Sequence, residues 1–402
     1  MKEEITRIMK LVQEGKLSPE DAAELIEAFG GASGESSDEP ASESKSEATD
    51  QESEKEVEGP FIKLIAGIEK IGKEVSISMD WKDIADQVRS GVNKGAEAIK
   101  VAMDDAAKGR GPFSSVFGHN AKRHYDLPLD VPSGKILRLE GISGNVFIEG
   151  GHDVGSVSID ATFRAYNEEE AQKAADRYLP LLEENDQSVT LRHGETENLT
   201  ADVVIRTKKG VPVEAKITSG EVKVYKTGGS VRVTSVSGDV EVRDVEGTVE
   251  VSVVSGDVRI EDAAASIMTV ESKSGDINLA RVSGSLNVRT SSGDVRAQNC
   301  GARTFSVEAA SGDVTLDINQ PVEGAINVRT VSGDIKIDVP DGSDARVMLA
   351  TLRGAVSTSI DLQDETLEKL TITGRLGEGP GSIDASAVNG DVHLGLRDSS
   401  QD

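Results

Sequence analysis

Cysteine is nearly absent from the 402-residue chain: Cys300 stands alone. No disulfide can form within the chain, and its fold must hold without one. Aromatic side chains are also scarce, at 3% with one Trp, four Tyr and seven Phe. That disfavours a core filled by large rings and an aromatic-walled groove for sugars. No run of 18 apolar residues occurs, and Met1-Lys2-Glu3-Glu4 leads into no apolar stretch. Neither a transmembrane helix nor a secretion signal is expected, and the chain reads as cytoplasmic or peripheral to a membrane. Positive charge is in deficit, with 44 Lys and Arg against 71 Asp and Glu, a net charge of −27. Nucleic acid is thereby disfavoured, because its binding relies on Lys and Arg displacing counterions; cationic partners such as cationic peptides suit the surface better. The five histidines, at 119, 124, 152, 193 and 393, lack zinc-ligand spacing and read as surface residues. No G-x-x-x-x-G-K-[ST], G-x-S-x-G or H-E-x-x-H segment is present. No catalytic residue, cofactor or metal centre is assigned, and an enzyme is not expected.

What the chain has in plenty is glycine, 41 residues in all, and much of it is periodic. Gly recurs at 220, 229, 238, 247 and 256, then at 275, 284 and 293, then at 312, 324 and 333. Counted from each Gly, apolar residues fall at the second, fourth and often seventh following positions, as in Val240, Val242 and Val245, or Ile277, Leu279 and Val282. Charged or hydroxylic residues stand between them, which is the alternation of a strand with one buried face. Ser-Gly-Asp occurs at 237–239, 255–257, 274–276, 292–294, 311–313 and 332–334, so two short units make one coil. The pattern predicts a mainly β fold, a two-layered parallel β-solenoid over 213–395. Its narrow core fits the shortage of rings.

Gly220, Gly238, Gly256, Gly275, Gly293, Gly312 and Gly333 are assigned as structural turns, supplying positive φ at each corner. The following Asp is expected to accept a backbone N–H two residues on within its own turn. Stacked coils would align Glu221, Asp239, Asp257, Asp276, Asp294, Asp313 and Asp334 along one edge. Neighbouring carboxylates at a spacing of about 4.8 Å repel by about 0.9 kcal/mol in water. Turn N–H groups or bound cations must offset this. A calcium ladder on those aspartates is the alternative to a structural role, although the G-G-x-G-x-D nonapeptide of calcium-binding rolls is missing. Cys300, seven residues after Gly293, takes the place of Val245 and Val282 and reads as a small buried hydrophobe.

The remaining segments differ in kind. Residues 1–30 read as a helical hairpin, with Ile5, Ile8, Met9 and Val12 on one helix, and Ser18 as N-cap of a second carrying Ala22, Leu25, Ile26 and Phe29. So short a hairpin is expected to self-associate or dock on a protein partner through Ile5, Ile8, Leu25 and Phe29. Residues 31–59 hold ten carboxylates and two lysines and read as a disordered acidic linker. Residues 60–110 carry amphipathic stripes that include Trp81 and Ile84. They are expected to pack on helices or on the β-domain, with peripheral membrane contact as the alternative. Residues 123–212 alternate like strands except for a helical spacing over Glu168–Glu184, and form an expected α/β cap.

Two stretches resemble one known combination. The turn Glu14-Gly15-Lys16-Leu17-Ser18-Pro19-Glu20-Asp21-Ala22 resembles the SHOCT-like N-terminal domain of YvlB- and LiaX-type bacterial proteins. Val211-Pro212 followed by the S-G-D-V units, with the closing Gly377-Glu378-Gly379 and Asn389-Gly390-Asp391-Val392, resembles the adhesin-type domain of unknown function in the same proteins. The resemblance implies a non-enzymatic bacterial β-solenoid, associated in some members with the cell-envelope stress response, and supplies no catalytic residues. The long helical insertion departs from that pattern. Three functions therefore compete: an interaction or scaffold protein presenting a rigid acidic solenoid, a polysaccharide-active β-helix enzyme, and a surface adhesin. The shortage of aromatics and the mixed outward side chains disfavour the enzyme, and the missing secretion signal disfavours the adhesin.

Overall fold

The computed structural model describes residues 119–193 and 198–397. The expected hairpin at 1–30, acidic linker at 31–59 and amphipathic helices at 60–110 lie outside the described residues.

Each repeat folds as one coil of two strands in two facing sheets. In a central coil Val231–Ser237 lies in the first sheet and Val240–Arg243 in the second, joined by the corner at Gly238 and Asp239. The next coil pairs with it in parallel, Val231 opposite Val249 and Val240 opposite Val258. Alternation turns Val231, Val233, Val240, Val242, Val249 and Val251 inward, and each is at most 1% exposed. Burying such a side chain contributes about 1.5–3 kcal/mol, and the stacked columns repeat that gain coil after coil. Phe163 and Phe305 are the largest fully buried side chains.

The two edges of the solenoid turn differently. All seven assigned glycines have φ between 121° and 139°. The opposite corner uses Lys226, Asp244, Asp262, Arg281 and Asn299 at φ of 52° to 55°, with Gly247 and Gly284 following at 102° and 121°, so the expectation that glycine alone supplies the positive φ is corrected there. Room decides which residue serves. A Cβ on Gly293 would lie 2.6 Å from the carbonyl carbon of Gly275 in the coil beside it, whereas the side chain of Arg281 stands out in solvent, about half exposed.

At both ends the stacking order departs from chain order. The coil Ile136–Ser143 with Val146–Glu149 adjoins Val213–Ser219 with Val222–Tyr225. Outside it lies the later pair of strands Ser188–Arg192 and Leu199–Arg206. Stacking thus continues well before residue 213. At the other end Gly381–Asn389 and Val392–Leu396 insert between the coil of Ala325–Ser332 and Ile335–Val339 and the coil of Ala345–Arg353 and Val356–Thr358. Antiparallel strands Thr371–Leu376 and Gln363–Glu368 then complete the first sheet, and His119–Leu129 and Gly155–Ala165 complete the second.

Helix α1 (Glu168–Arg177) starts at Asn167, whose Oδ1 accepts the Glu170 N–H at 2.8 Å. It buries Ala171 and Ala175. The spacing over Glu168–Glu184 predicts a longer helix, but Pro180 disfavours the helical conformation at Leu179, and Leu181–Glu184 is a strand.

Candidate functional site

The glycine edge is bound together by its aspartates. Asp239 Oδ1 accepts the backbone N–H of Asp257 at 2.9 Å, and the same bond recurs from Asp257 to Asp276, Asp276 to Asp294, Asp294 to Asp313, Asp313 to Asp334 and Asp334 to Asp391, at 2.8 to 2.9 Å. Each carboxylate therefore bonds the next coil. This corrects the expectation of a bond inside its own turn. The cause is the stack itself: coils in register bring the N–H of one Asp beside the side chain of its neighbour. The column continues past the aspartates, for Asp391 accepts from Ala355 at 2.7 Å, Asn145 from Glu221 at 3.1 Å and Asp202 from Asn145 at 2.7 Å. Charge-assisted bonds of this kind offset the repulsion between neighbouring carboxylates. Arg296 also reaches Asp276 and Asp294, at 3.5 and 2.7 Å. Among the described residues no group of three or more His, Cys, Asp or Glu is arranged to hold a metal ion.

At the opposite corner a groove of about 410 Å³ is lined by Glu149, His152, Lys209, Lys226, Asp244 and Glu246, with Gly150, Gly151 and Gly228 also lining it. Glu149 accepts from Lys226 at 3.0 Å and meets His152 at 3.1 Å. Those partners, Lys226 first, hold its carboxyl below the usual carboxylate range. Lys209 lies 3.5 Å from Glu246. The groove offers ammonium and carboxylate groups side by side to a charged partner. Its members come from three coils and a connecting loop, so no local motif could have shown it.

The outer faces carry ionic ladders. Arg138 meets Glu214 at 2.9 Å, Arg232 meets Glu250 at 2.7 Å, and Arg289 lies between Glu271 and Glu308 at 3.3 and 3.2 Å. Glu261, with its side chain only 10% exposed, gathers Arg243 at 3.2 Å, Arg281 at 3.9 Å and Arg259.

The other singled-out residues fall as follows. Cys300 is buried, and burial pushes its thiol up to about 11. His193 was expected at the surface. It is partly buried against Tyr178, whose ring stacks on it at 5.9 Å and whose hydroxyl bonds its Nδ1. Burial pushes its pKa down to about 4. His124 is exposed between Asp160 at 2.8 Å and Asp126 at 3.1 Å, which raise its pKa. Ile5, Ile8, Leu25, Phe29, Trp81 and Ile84 lie outside the described residues. No helix among the described residues is long and apolar enough to cross a membrane.

Coils in parallel register, glycine corners and a column of cross-coil aspartates mark out the middle of the chain. Residues 200–339 match the Toastrack DUF4097 family. The matched segment runs from strand Leu199–Arg206 to the end of Ile335–Val339, and so takes in every Ser-Gly-Asp corner read from the sequence. Residues 3–34 match a SHOCT-like domain, so both parts of the combination that the sequence resembles are matched. No curated protein matches the chain. Solved structures similar to it include a candidate adhesin of Parabacteroides distasonis ATCC 8503 (11% identity, TM-score 0.35, 68% of this chain and 97% of that one). A candidate adhesin of Bacteroides fragilis NCTC 9343 is 13% identical at TM-score 0.32, covering 69% and 99%. A candidate cell adhesion protein of Clostridium sporogenes ATCC 15579 is 10% identical at TM-score 0.20, covering 69% and 100%.

Proposed function

We propose that the chain is a non-enzymatic bacterial interaction or scaffold protein, linked to cell-envelope stress, whose Toastrack segment presents a rigid acidic surface. The reading is carried by the Asp column, which ties successive coils together side chain to backbone. It sets the outer ionic ladders at fixed spacing, as a docking surface requires. The SHOCT-like segment serves as the second contact, engaging a protein partner or another copy through Ile5, Ile8, Leu25 and Phe29, with Trp81 and Ile84 extending it. Cationic peptides suit the chain's net charge of −27. The site of action is the cytoplasm or the inner face of the membrane.

Crosslinking of the full chain in cells under wall-active antibiotic stress, followed by fractionation into cytosol, membrane and surface, tests this. The expected result is a defined partner in the cytosolic or membrane fraction, lost when Ile8 and Phe29 become Asp or when Glu250, Glu271 and Glu308 become Gln. An identical crosslinking profile in all variants, a surface-only location, or turnover of a polysaccharide by the purified chain overturns it.

A further inference from the structure

On the outer faces, ionic side chains directly opposed across neighbouring strands are mostly of opposite sign, as Arg138 with Glu214 and Arg232 with Glu250. Where like charges are opposed, the fold compensates. Asp160 stands opposite Asp202, yet His124 bonds the first at 2.8 Å and the Asn145 N–H bonds the second at 2.7 Å. Asp317 stands opposite Asp338, with Arg397 at 2.7 Å from one and Lys336 at 2.9 Å from the other.

Arg346 and Arg375 break this rule. They stand directly opposite each other in the antiparallel pair of Ala345–Arg353 with Thr371–Leu376. Both are exposed, with Ala345, Val347 and Leu376 beside them turned inward. Among the described residues neither makes an ion pair or hydrogen bond. Asp384, on the next strand, is opposite Met348 and so only diagonal to Arg346. Like charges facing each other across strands destabilise a sheet; Asp384 offsets part of the charge of Arg346, while Arg375 has no carboxylate opposite it on either side.

The same row continues on both sides. Ser382 is opposite Arg346, and Gln363 is opposite Arg375. Across four strands, each about 4.8 Å from the next, the row reads hydroxyl, guanidinium, guanidinium, amide. All four can donate hydrogen bonds, and no carboxylate stands in the row.

We propose that this row binds a phosphate monoester as its dianion, held between the guanidiniums of Arg346 and Arg375, with Ser382 and Gln363 donating from either side. Two fixed positive charges one strand apart balance a doubly charged oxyanion, whereas a single carboxylate leaves one of them unmatched. The planar guanidinium fork matches the oxygens of phosphate. The chain's net charge of −27 repels long polyanions, which favours a small or singly phosphorylated ligand. The site is separate from the Asp column and the ionic ladders on which the proposed function rests, so either reading can fail without the other.

Calorimetric titration of the full chain with inorganic phosphate and with O-phosphoserine, at constant ionic strength, tests the proposal. Binding of both is expected at pH 8 and at least tenfold weaker at pH 5, because the second phosphate pKa is about 6. Acetate gives no heat. Arg346→Gln and Arg375→Gln each weaken binding at least tenfold, while Arg329→Gln on the same sheet leaves it unchanged. Without ligand, Arg346→Gln melts no lower than the wild type. Equal binding by the wild type and the Arg346→Gln, Arg375→Gln double variant, no binding at pH 8, or uptake of inorganic phosphate but not O-phosphoserine overturns the assignment.

Discussion

Replacing Gly293 by Ala, a single added methyl group, tests the stacking of the glycine edge. Gly293 sits at φ 122°, where a side chain crowds the backbone at a cost of about 1–2 kcal/mol. The new Cβ also meets the Gly275 carbonyl of the adjoining coil, 2.6 Å from its carbon. Neither atom can swing away, since both belong to backbone in register. Relief requires the two coils to part locally, which strains Gly275 N–H to Ser292 O at 3.2 Å and Asp294 N–H to Asp276 Oδ1 at 2.9 Å. Two such bonds are worth about 1 kcal/mol each, so the whole loss comes to about 3–4 kcal/mol. Urea unfolding followed by circular dichroism reads this as a lower midpoint at unchanged slope. Arg281→Gly at the opposite corner is the control. It removes a left-handed side chain and its bond to Asp262 at 2.5 Å, two small opposing effects, and should stay within about 1 kcal/mol of wild type. A Gly293→Ala protein within about 1 kcal/mol of wild type would refute the close stacking of corners.

Asp294→Asn keeps the acceptor, as Asn145 does in the same column, and should leave stability within about 0.5 kcal/mol. Asp294→Ala strands the Asp313 N–H that Asp294 now accepts and should cost about 1–2 kcal/mol; equal melting of the two variants would show that the bond contributes nothing. The His193 pKa is depressed to about 4 from 6.5, so its unfolded form binds the proton more readily. Its contribution to stability is full above pH 6.5 and lost as pH falls towards 4. Replacing His193 by Phe should flatten the melting temperature over that window, and an unchanged pH profile would contradict the assignment. The Cys300 thiol, buried and pushed up to about 11, should resist a disulfide reagent at pH 8 in the native protein and react fully in denaturant.

Much of the fold was legible because a solenoid repeats its physics. The apolar positions after each Gly named the inward columns, and Val245, Val282 and Cys300 at the seventh place are buried, but Val254 at the same place is only partly buried and its neighbour Val253 takes the inward position. What the period could not show lies where neighbours come from different coils. The Asp-to-Asp bonds, the groove at Glu149 and the cluster at Glu261 each join residues distant in sequence. The coil before the repeat did leave a trace, for Ser143-Gly144-Asn145-Val146 is the corner motif with Asn in place of Asp. Its partner coil at Ala201-Asp202-Val203 lacks the Gly and is silent. His193 was misplaced because a lone His among strands gives no sign of the Tyr178 ring that packs against it. Arg346 and Arg375 stand opposite each other only because an antiparallel hairpin folds back on the coil that begins at Ala345.

The inserted coil Gly381–Leu396 makes assembly of the C-terminal cap conditional on the final stretch of described chain. Until that stretch arrives, the strands of 325–339 and 345–358 have no partner on the sides that will face it, and each presents open backbone groups of the kind that recruit foreign strands. A product cut short before Gly381 would thus expose two sticky ladders at once, whereas loss of an outermost strand would expose fewer. The inserted coil behaves as a keystone: without it, two open ladders are left for proteases and for other strands to find.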